Sequence, residues 1–134
     1  MITAVLADDH AIVRRGLRSL LENEDHCRVV GEAGDGLTAL ALIERLKPQV
    51  AVLDVQMPDL GGLEVARRAR ERSPGTRVVM LSMHADEPFV LEALRHGAAA
   101  YVLKGAAATD LIAAVHAAVA GKRFLSEPLN ERAI

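Results

Sequence analysis

Short, continuous apolar runs recur along this chain at intervals that leave room for one helix between each pair. Thr3 to Ala7, Cys27 to Ala33, Val50 to Leu53, Arg77 to Leu81 and Ala100 to Leu103 each read as a buried strand bounded by turn residues. Between them the apolar spacing turns helical. His10 to Asn23 carries Ile12, Val13, Leu17, Leu20 and Leu21. Gly36 to Leu46 places Leu37, Leu40, Ala41 and Ile43 on one face and is stopped by Pro48. Leu63 to Arg72 ends at Ser73-Pro74-Gly75, and Pro88 to His96 encloses Phe89, Val90, Ala93 and Leu94 before Gly97. A last helix, capped by Thr109-Asp110, buries Leu111, Ile112, Val115, Ala118 and Val119 and ends at Gly121. Five strands alternating with five helices predict the α/β class, a doubly wound (βα)5 parallel sheet with right-handed crossovers and helices on both faces. Strands that are apolar throughout, rather than at alternate positions, fit a sheet covered on both sides.

Composition narrows the function classes. The 134 residues suffice for one domain with a real core, and 51% hydrophobic content makes the chain globular. No apolar run approaches the ~18–20 residues of a membrane span, and the start shows no signal-peptide pattern. The single cysteine, Cys27, excludes an internal disulfide framework and a cysteine zinc site, which fits a reducing, cytoplasmic setting. A net charge of −2 and few aromatic residues give no electrostatic or stacking reason to grip nucleic acid.

Four of the five strands end in a polar or charged residue: Asp8-Asp9, Asp54, Ser82 and Lys104. In a parallel sheet these ends share one edge, where open α/β sheets place their ligands. The groups converge from positions 45, 28 and 22 residues apart (Asp9 to Asp54, Asp54 to Ser82, Ser82 to Lys104). Three carboxylates in one place repel one another and need a cation to coexist. An oxygen-only donor set suits Mg²⁺, which keeps several waters and bridges to phosphate. A carboxylate can be the nucleophile in phosphoryl transfer, forming an acyl phosphate, and a lysine can hold a phosphoryl oxygen. The segment after Asp54, with Met57-Pro58 and Gly61-Gly62, stiffens the loop that carries this acid.

With Asp8-Asp9, Asp54 followed by Met57-Pro58 and Gly61-Gly62, Ser82, Tyr101 and Lys104 in place, residues 2 to about 121 resemble the receiver domain of a two-component response regulator. Leu81-Ser-Met-His84, Gly97 to Lys104 and Phe124-Leu-Ser-Glu-Pro128 resemble the LuxR/NarL/FixJ-type branch, whose receivers precede a C-terminal helix-turn-helix. The resemblance implies a flavodoxin-like sheet of order 2-1-3-4-5. It implies a phosphorylation-activated switch, in which Asp54 takes phosphate from a sensor histidine kinase. Asp9, Asp54 and the backbone carbonyl of Gln56 would bind Mg²⁺, with Asp8 acting directly or through water. Lys104 would contact the phosphoryl group, Ser82 would move towards it, and Tyr101 would turn inward to fill the space left. Residues 1–121 are then expected to be the receiver, and 122–134 the start of a linker to an absent helix-turn-helix through which alone DNA would be reached. The chain would be an excised receiver of a transcription regulator, a phosphoprotein that catalyses only its own phosphorylation and dephosphorylation and is not otherwise an enzyme. A homodimer through the first and last helices is a further expectation.

Two positions depart from the commonest receiver pattern. Gly105 stands where proline often follows the lysine, which leaves the geometry of that loop open, and Met83 is bulky where small residues are common. Met83 is expected to shield the acyl phosphate from water. The alternatives are weaker. A small Mg²⁺-dependent phosphatase with an aspartyl nucleophile commonly has Asp-x-Asp on its first strand and a cap domain, where this chain has adjacent acids and no room for a cap. A flavodoxin would need a hydroxyl- and Gly-rich phosphate loop where Asp8-Asp9 would repel the phosphate. A degenerate receiver that only mediates protein contacts would not need the complete acid–hydroxyl–lysine set. His10 is expected to be a solvent-facing residue of a helix's first turn rather than a metal ligand. His84 is a loop residue near the site. Arg14, Arg15 and Arg18, with Arg67, Arg68, Arg70 and Arg72, are expected on solvated helix faces.

Overall fold

A computed structural model describes residues 1–23, 26–83 and 87–127. The elements run β1 (Ile2–Ala7), α1 (Ala11–Glu22), β2 (Cys27–Ala33), α2 (Gly36–Leu46), β3 (Val50–Asp54), α3 (Gly62–Arg72), β4 (Arg77–Ser82), α4 (Glu87–Arg95), β5 (Ala98–Leu103), α5 (Ala107–Val119) and β6 (Phe124–Leu125). All neighbouring strands pair in parallel, in the order β2-β1-β3-β4-β5-β6. This is the doubly wound, flavodoxin-like architecture expected from the alternation of runs, with one additional edge strand.

Side chains of successive strand residues point to opposite faces, and the two faces build two cores. Val5, Ala7, Ala51, Leu53, Val78, Met80 and Tyr101 pack with α2, α3 and α4. Ala4, Leu6, Val50, Val52, Val79, Leu81 and Val102 pack with α1 and α5. Every residue of β3 is buried, which is why that strand is apolar up to its last position. Register then levels the strand tips. Ala7 pairs with Leu53, Asp54 with Leu81 and Ser82 with Leu103, so the residues that follow or end these strands emerge on one edge.

The helices differ from expectation in width rather than in period. On α1 only Leu17 and Leu21 are buried; Ile12 is 84% exposed and Val13 also faces out. On α2 the buried residues are Gly36, Ala39, Leu40 and Ile43, while Leu37 and Ala41 are exposed. A single 3-10 turn at Lys104–Ala106 feeds directly into α5, so the helix begins at Ala107. Thr109 and Asp110 therefore sit in its first turn and do not cap it. Thr109 Oγ1 donates to the Ala106 carbonyl, and Asp110 Oδ2 accepts from Ser126 Oγ at 2.7 Å.

Part of the segment expected to be linker belongs to the sheet. Phe124 and Leu125 pair with Ala100 and Tyr101, the Ser126 N–H donates to the Tyr101 carbonyl, and Ser126 Oγ accepts from the Leu103 N–H. Residues 128–134 lie outside the described residues.

Candidate functional site

Three elements deliver the charged side chains. Asp8 follows β1, Asp54 ends β3, and Lys104 opens the 3-10 turn after β5. Lys104 Nζ lies 2.9 Å from Asp8 Oδ2 and 2.9 Å from Asp54 Oδ2. Asp8 is fully buried and Asp54 nearly so, while the lysine side chain keeps 15% of its surface exposed. Asp8 Oδ1 accepts from the His10 N–H at 2.9 Å. Its Oδ2 has the ammonium as an ion-pair partner without a well-directed hydrogen bond. Asp54 Oδ1 accepts from the Gln56 N–H at 3.2 Å. A carboxylate buried this deeply is costly unless it is paired, and one ammonium serves both acids.

Burial pushes the Asp54 carboxyl above the ordinary carboxylate range. The Lys104 and Gln56 contacts pull against that shift, and the Asp8 charge adds to it. Burial opposes the charge on Lys104, but the contacts with Asp8 and Asp54 outweigh it and hold the ammonium above its usual pKa.

Asp9, His10, Asp54, Gln56, Ser82, Met83 and Lys104 line one cleft of about 110 Å³. Five of the seven expected site residues thus meet around one small opening, with Asp8 beneath it, reached through Lys104. Tyr101 does not line the cleft: it is fully buried in the core that includes Val90, Ala93 and Leu125. Met83 stands at the rim, 76% exposed. His84 lies outside the described residues. His10 is the residue preceding α1 rather than part of its first turn, and although mostly exposed its Nδ1 lies 3.0 Å from Asp9 Oδ1.

The donor set fits a hard divalent cation. Asp9 and Asp54 both face the cleft, Asp8 backs them, and the side-chain donors of these acids are oxygens. Asp8, Asp9 and His10 each offer a ligand atom within 4.8 Å of the others. No L-side chain fits at Gly62, where a Cβ would stand 2.1 Å from the Asp54 carbonyl oxygen. This close approach lets α3 start directly against the strand tip, and the Gly62 N–H donates to the Val55 carbonyl. Gly105 differs: a Cβ there meets nothing, so the 3-10 turn does not require glycine.

Arg14 was expected on a solvated face and is not. Its Nη1 donates to the Asp8 carbonyl at 2.7 Å and its Nε to Glu32 Oε1 at 3.2 Å, bracing the acid loop from behind. The legible signal was an opposite charge, Glu32, next to the end of the neighbouring strand.

A doubly wound parallel sheet that gathers an acid pair, a third buried acid, a hydroxyl and a lysine at its carboxyl edge defines a receiver-type signalling domain. The chain belongs to the response regulator receiver domain family, whose profile matches residues 4–116. Among its relatives, the response regulator GacA of Pseudomonas viridiflava is 36% identical over 132 residues, covering 98% of this chain and 62% of that protein. The response regulator UvrY of Escherichia coli K12 is 33% identical, covering 98% and 61%. In structure, a LuxR-family two-component response regulator from Aurantimonas sp. SI85-9A1 aligns with a TM-score of 0.93 at 34% identity, covering 98% of this chain and 94% of that one. The signal receiver domain of the putative response regulator NarL from Mycobacterium tuberculosis aligns with a TM-score of 0.86 at 38% identity, covering 90% and 98%. The chain spans a little under two thirds of the length of these GacA and UvrY relatives. The family supports phosphorylation-dependent signalling and does not favour the small-ester phosphatase. Among the described residues, no helix is long and apolar enough to cross a membrane.

Proposed function

We propose that Asp54 is the phosphoacceptor of a signalling switch and takes its phosphoryl group from a phosphohistidine of a sensor kinase. A carboxylate oxygen of Asp54 attacks phosphorus, the phosphorus–nitrogen bond breaks, and the imidazole leaves to take up a proton. The observation that carries this reading is the position of Lys104 Nζ, 2.9 Å from both Asp8 and Asp54 at the mouth of the cleft. Lys104 holds the acid that reacts and offers an ammonium to an incoming phosphoryl oxygen. Asp9, Asp54 and the Gln56 carbonyl, backed by Asp8, would hold Mg²⁺, which when bound neutralises charge on the phosphoryl oxygens. Ser82 donates to a phosphoryl oxygen, and its movement repacks Tyr101. The phosphoryl group then acts as a ligand with different affinity for two arrangements of the β4–α4–β5 region. The protein turns over no external metabolite. Its output, by resemblance to the LuxR-type branch, is control of a DNA-binding segment.

Incubation with acetyl phosphate and Mg²⁺ tests the assignment. The expected result is a gain of one phosphoryl mass, labile to hydroxylamine and absent in Asp54→Asn. Phosphorylation that persists in Asp54→Asn, or continuous release of phosphate from a small ester, would overturn it.

A further inference from the structure

Ser126 follows β6, at the margin of the sheet, yet it is 1% exposed. A hydroxyl buried this deeply is costly unless it is bonded, and it can both donate and accept. Ser126 Oγ does both. It donates to Asp110 Oδ2 at 2.7 Å and accepts from the Leu103 N–H at 3.2 Å. The Ser126 N–H donates to the Tyr101 carbonyl at 3.1 Å. One residue thus binds the end of β5 to the first turn of α5, the two elements on either side of the 3-10 turn Lys104–Ala106. Thr109 Oγ1, 3.3 Å from Asp110 Oδ1, donates to the Ala106 carbonyl at 3.0 Å and closes the same turn.

That turn has little else to fix it. A 3-10 turn has poorer hydrogen-bond geometry than an α-helix, and no side chain caps its start at Leu103. Gly105, at its centre, has the widest backbone freedom of any residue, and a Cβ there would meet nothing. Lys104 carries its ammonium on a long, flexible stem, so where Nζ sits depends on how firmly the backbone beneath it is held. Nζ nevertheless lies 2.9 Å from both Asp8 Oδ2 and Asp54 Oδ2.

We propose that Ser126 is a positioning residue for Lys104. Its hydroxyl clamps Leu103 to Asp110 and so holds the turn that presents the ammonium to Asp54 and to an incoming phosphoryl oxygen. The inference rests on the reading of Asp54 as phosphoacceptor. Placing a charge before reaction is worth large factors in rate, and an error of about 1 Å can cost about a hundredfold.

The test compares Ser126→Ala, which leaves Leu103 and Asp110 without their shared partner, with Ser126→Thr, which keeps the hydroxyl. Ser73→Ala is the structural control. Ser73 is also buried, and its hydroxyl is 2.7 Å from Thr76 Oγ1 at the opposite edge of the sheet, before β4. Two quantities are read in proteins with native circular dichroism: the rate of phosphoryl uptake from acetyl phosphate with Mg²⁺, by intact mass, and the ammonium nitrogen resonance of Lys104, assigned by its absence in Lys104→Met. Ser126→Ala should take up phosphate about tenfold or more slowly and should shift or broaden the Lys104 resonance. Ser126→Thr and Ser73→Ala should stay within about threefold of wild type and leave the resonance in place. Should Ser126→Ala not fold, Asp110→Ala removes the other end of the clamp and carries the same expectations. An unchanged rate or an unchanged Lys104 resonance in the clamp variant, or equal slowing in Ser73→Ala, would overturn the positioning role and leave the Asp54 reading intact. No uptake by the wild type would overturn that reading instead, and the Lys104 resonance alone would then decide for or against the clamp.

Discussion

Replacing Lys104 by methionine removes the ammonium that Asp8 and Asp54 share, while keeping most of the side-chain volume. At 2.9 Å and an effective dielectric of about 20, each pair is worth about 6 kcal/mol before desolvation is counted. Most of that gross attraction offsets the cost of burying the charges. Removing one partner of a fully buried pair costs about 3–5 kcal/mol. Lys104 keeps some exposure and the abandoned acids can take up a proton, so a loss of about 2–4 kcal/mol is expected, a large part of a typical ~5–15 kcal/mol stability. Urea unfolding at pH 7.5 in metal-free buffer measures it. The variant should gain more from Mg²⁺ than the wild type, because the ammonium no longer competes for the same carboxylates. The pH dependence has a defined sign. The pKa of Lys104 is raised in the fold, so its contribution is fully present below the ordinary lysine value of 10.5 and is lost as pH rises through the higher folded value. The variant should lack that alkaline loss. A Lys104→Met protein within about 0.5 kcal/mol of wild type without metal, or one whose Mg²⁺ stabilisation is not increased, would refute the reasoning.

Three further outcomes follow from the same geometry. Asp54→Asn should change stability in a pH-dependent way: the folded pKa of Asp54 is raised by burial, so its contribution is greatest below about 3.8 and declines as pH rises through the folded value. The wild type should therefore gain on the variant as pH falls through that window in parallel denaturation series. Gly62→Ala would place a methyl 2.1 Å from the Asp54 carbonyl oxygen, and thermal unfolding should show a cost near or above the ~1–3 kcal/mol of ordinary overpacking, together with slower phosphorylation by acetyl phosphate. Met83→Ala, at an exposed rim position, should leave stability within about 0.5 kcal/mol but speed loss of the phosphoryl group, and an unchanged dephosphorylation rate rejects the shielding role.

The strands and their level tips were legible because burial on both faces writes itself as unbroken apolar runs, and because a parallel sheet sends every strand end the same way. Asp9, Asp54, Gln56, Ser82 and Lys104 meet in one cleft for that reason alone. Residues whose position depends on a neighbour's shape were less legible. Leu37 and Ile12 satisfy a helical period yet face solvent, because the sheet covers only a narrow stripe of each helix. Arg14 looks like a solvated residue until Asp8 and Glu32 are placed beside it. The start of α5 is not legible because Thr109-Asp110 has the composition of a helix cap, while the 3-10 turn after Lys104 leaves no chemical mark of its own. Phe124-Leu125 is too short a run to announce a strand.

The sixth strand changes where this unit can be safely cut. A boundary drawn at Gly121, the natural stopping point on helical signals, would strip Phe124 and Leu125 from β5 and leave its backbone donors and acceptors bare along Ala100 and Tyr101. Naked, apolar strand margins invite pairing with other chains, so the shortened protein would be drawn towards aggregation. The short sixth strand is thus also the sheet's protective hem.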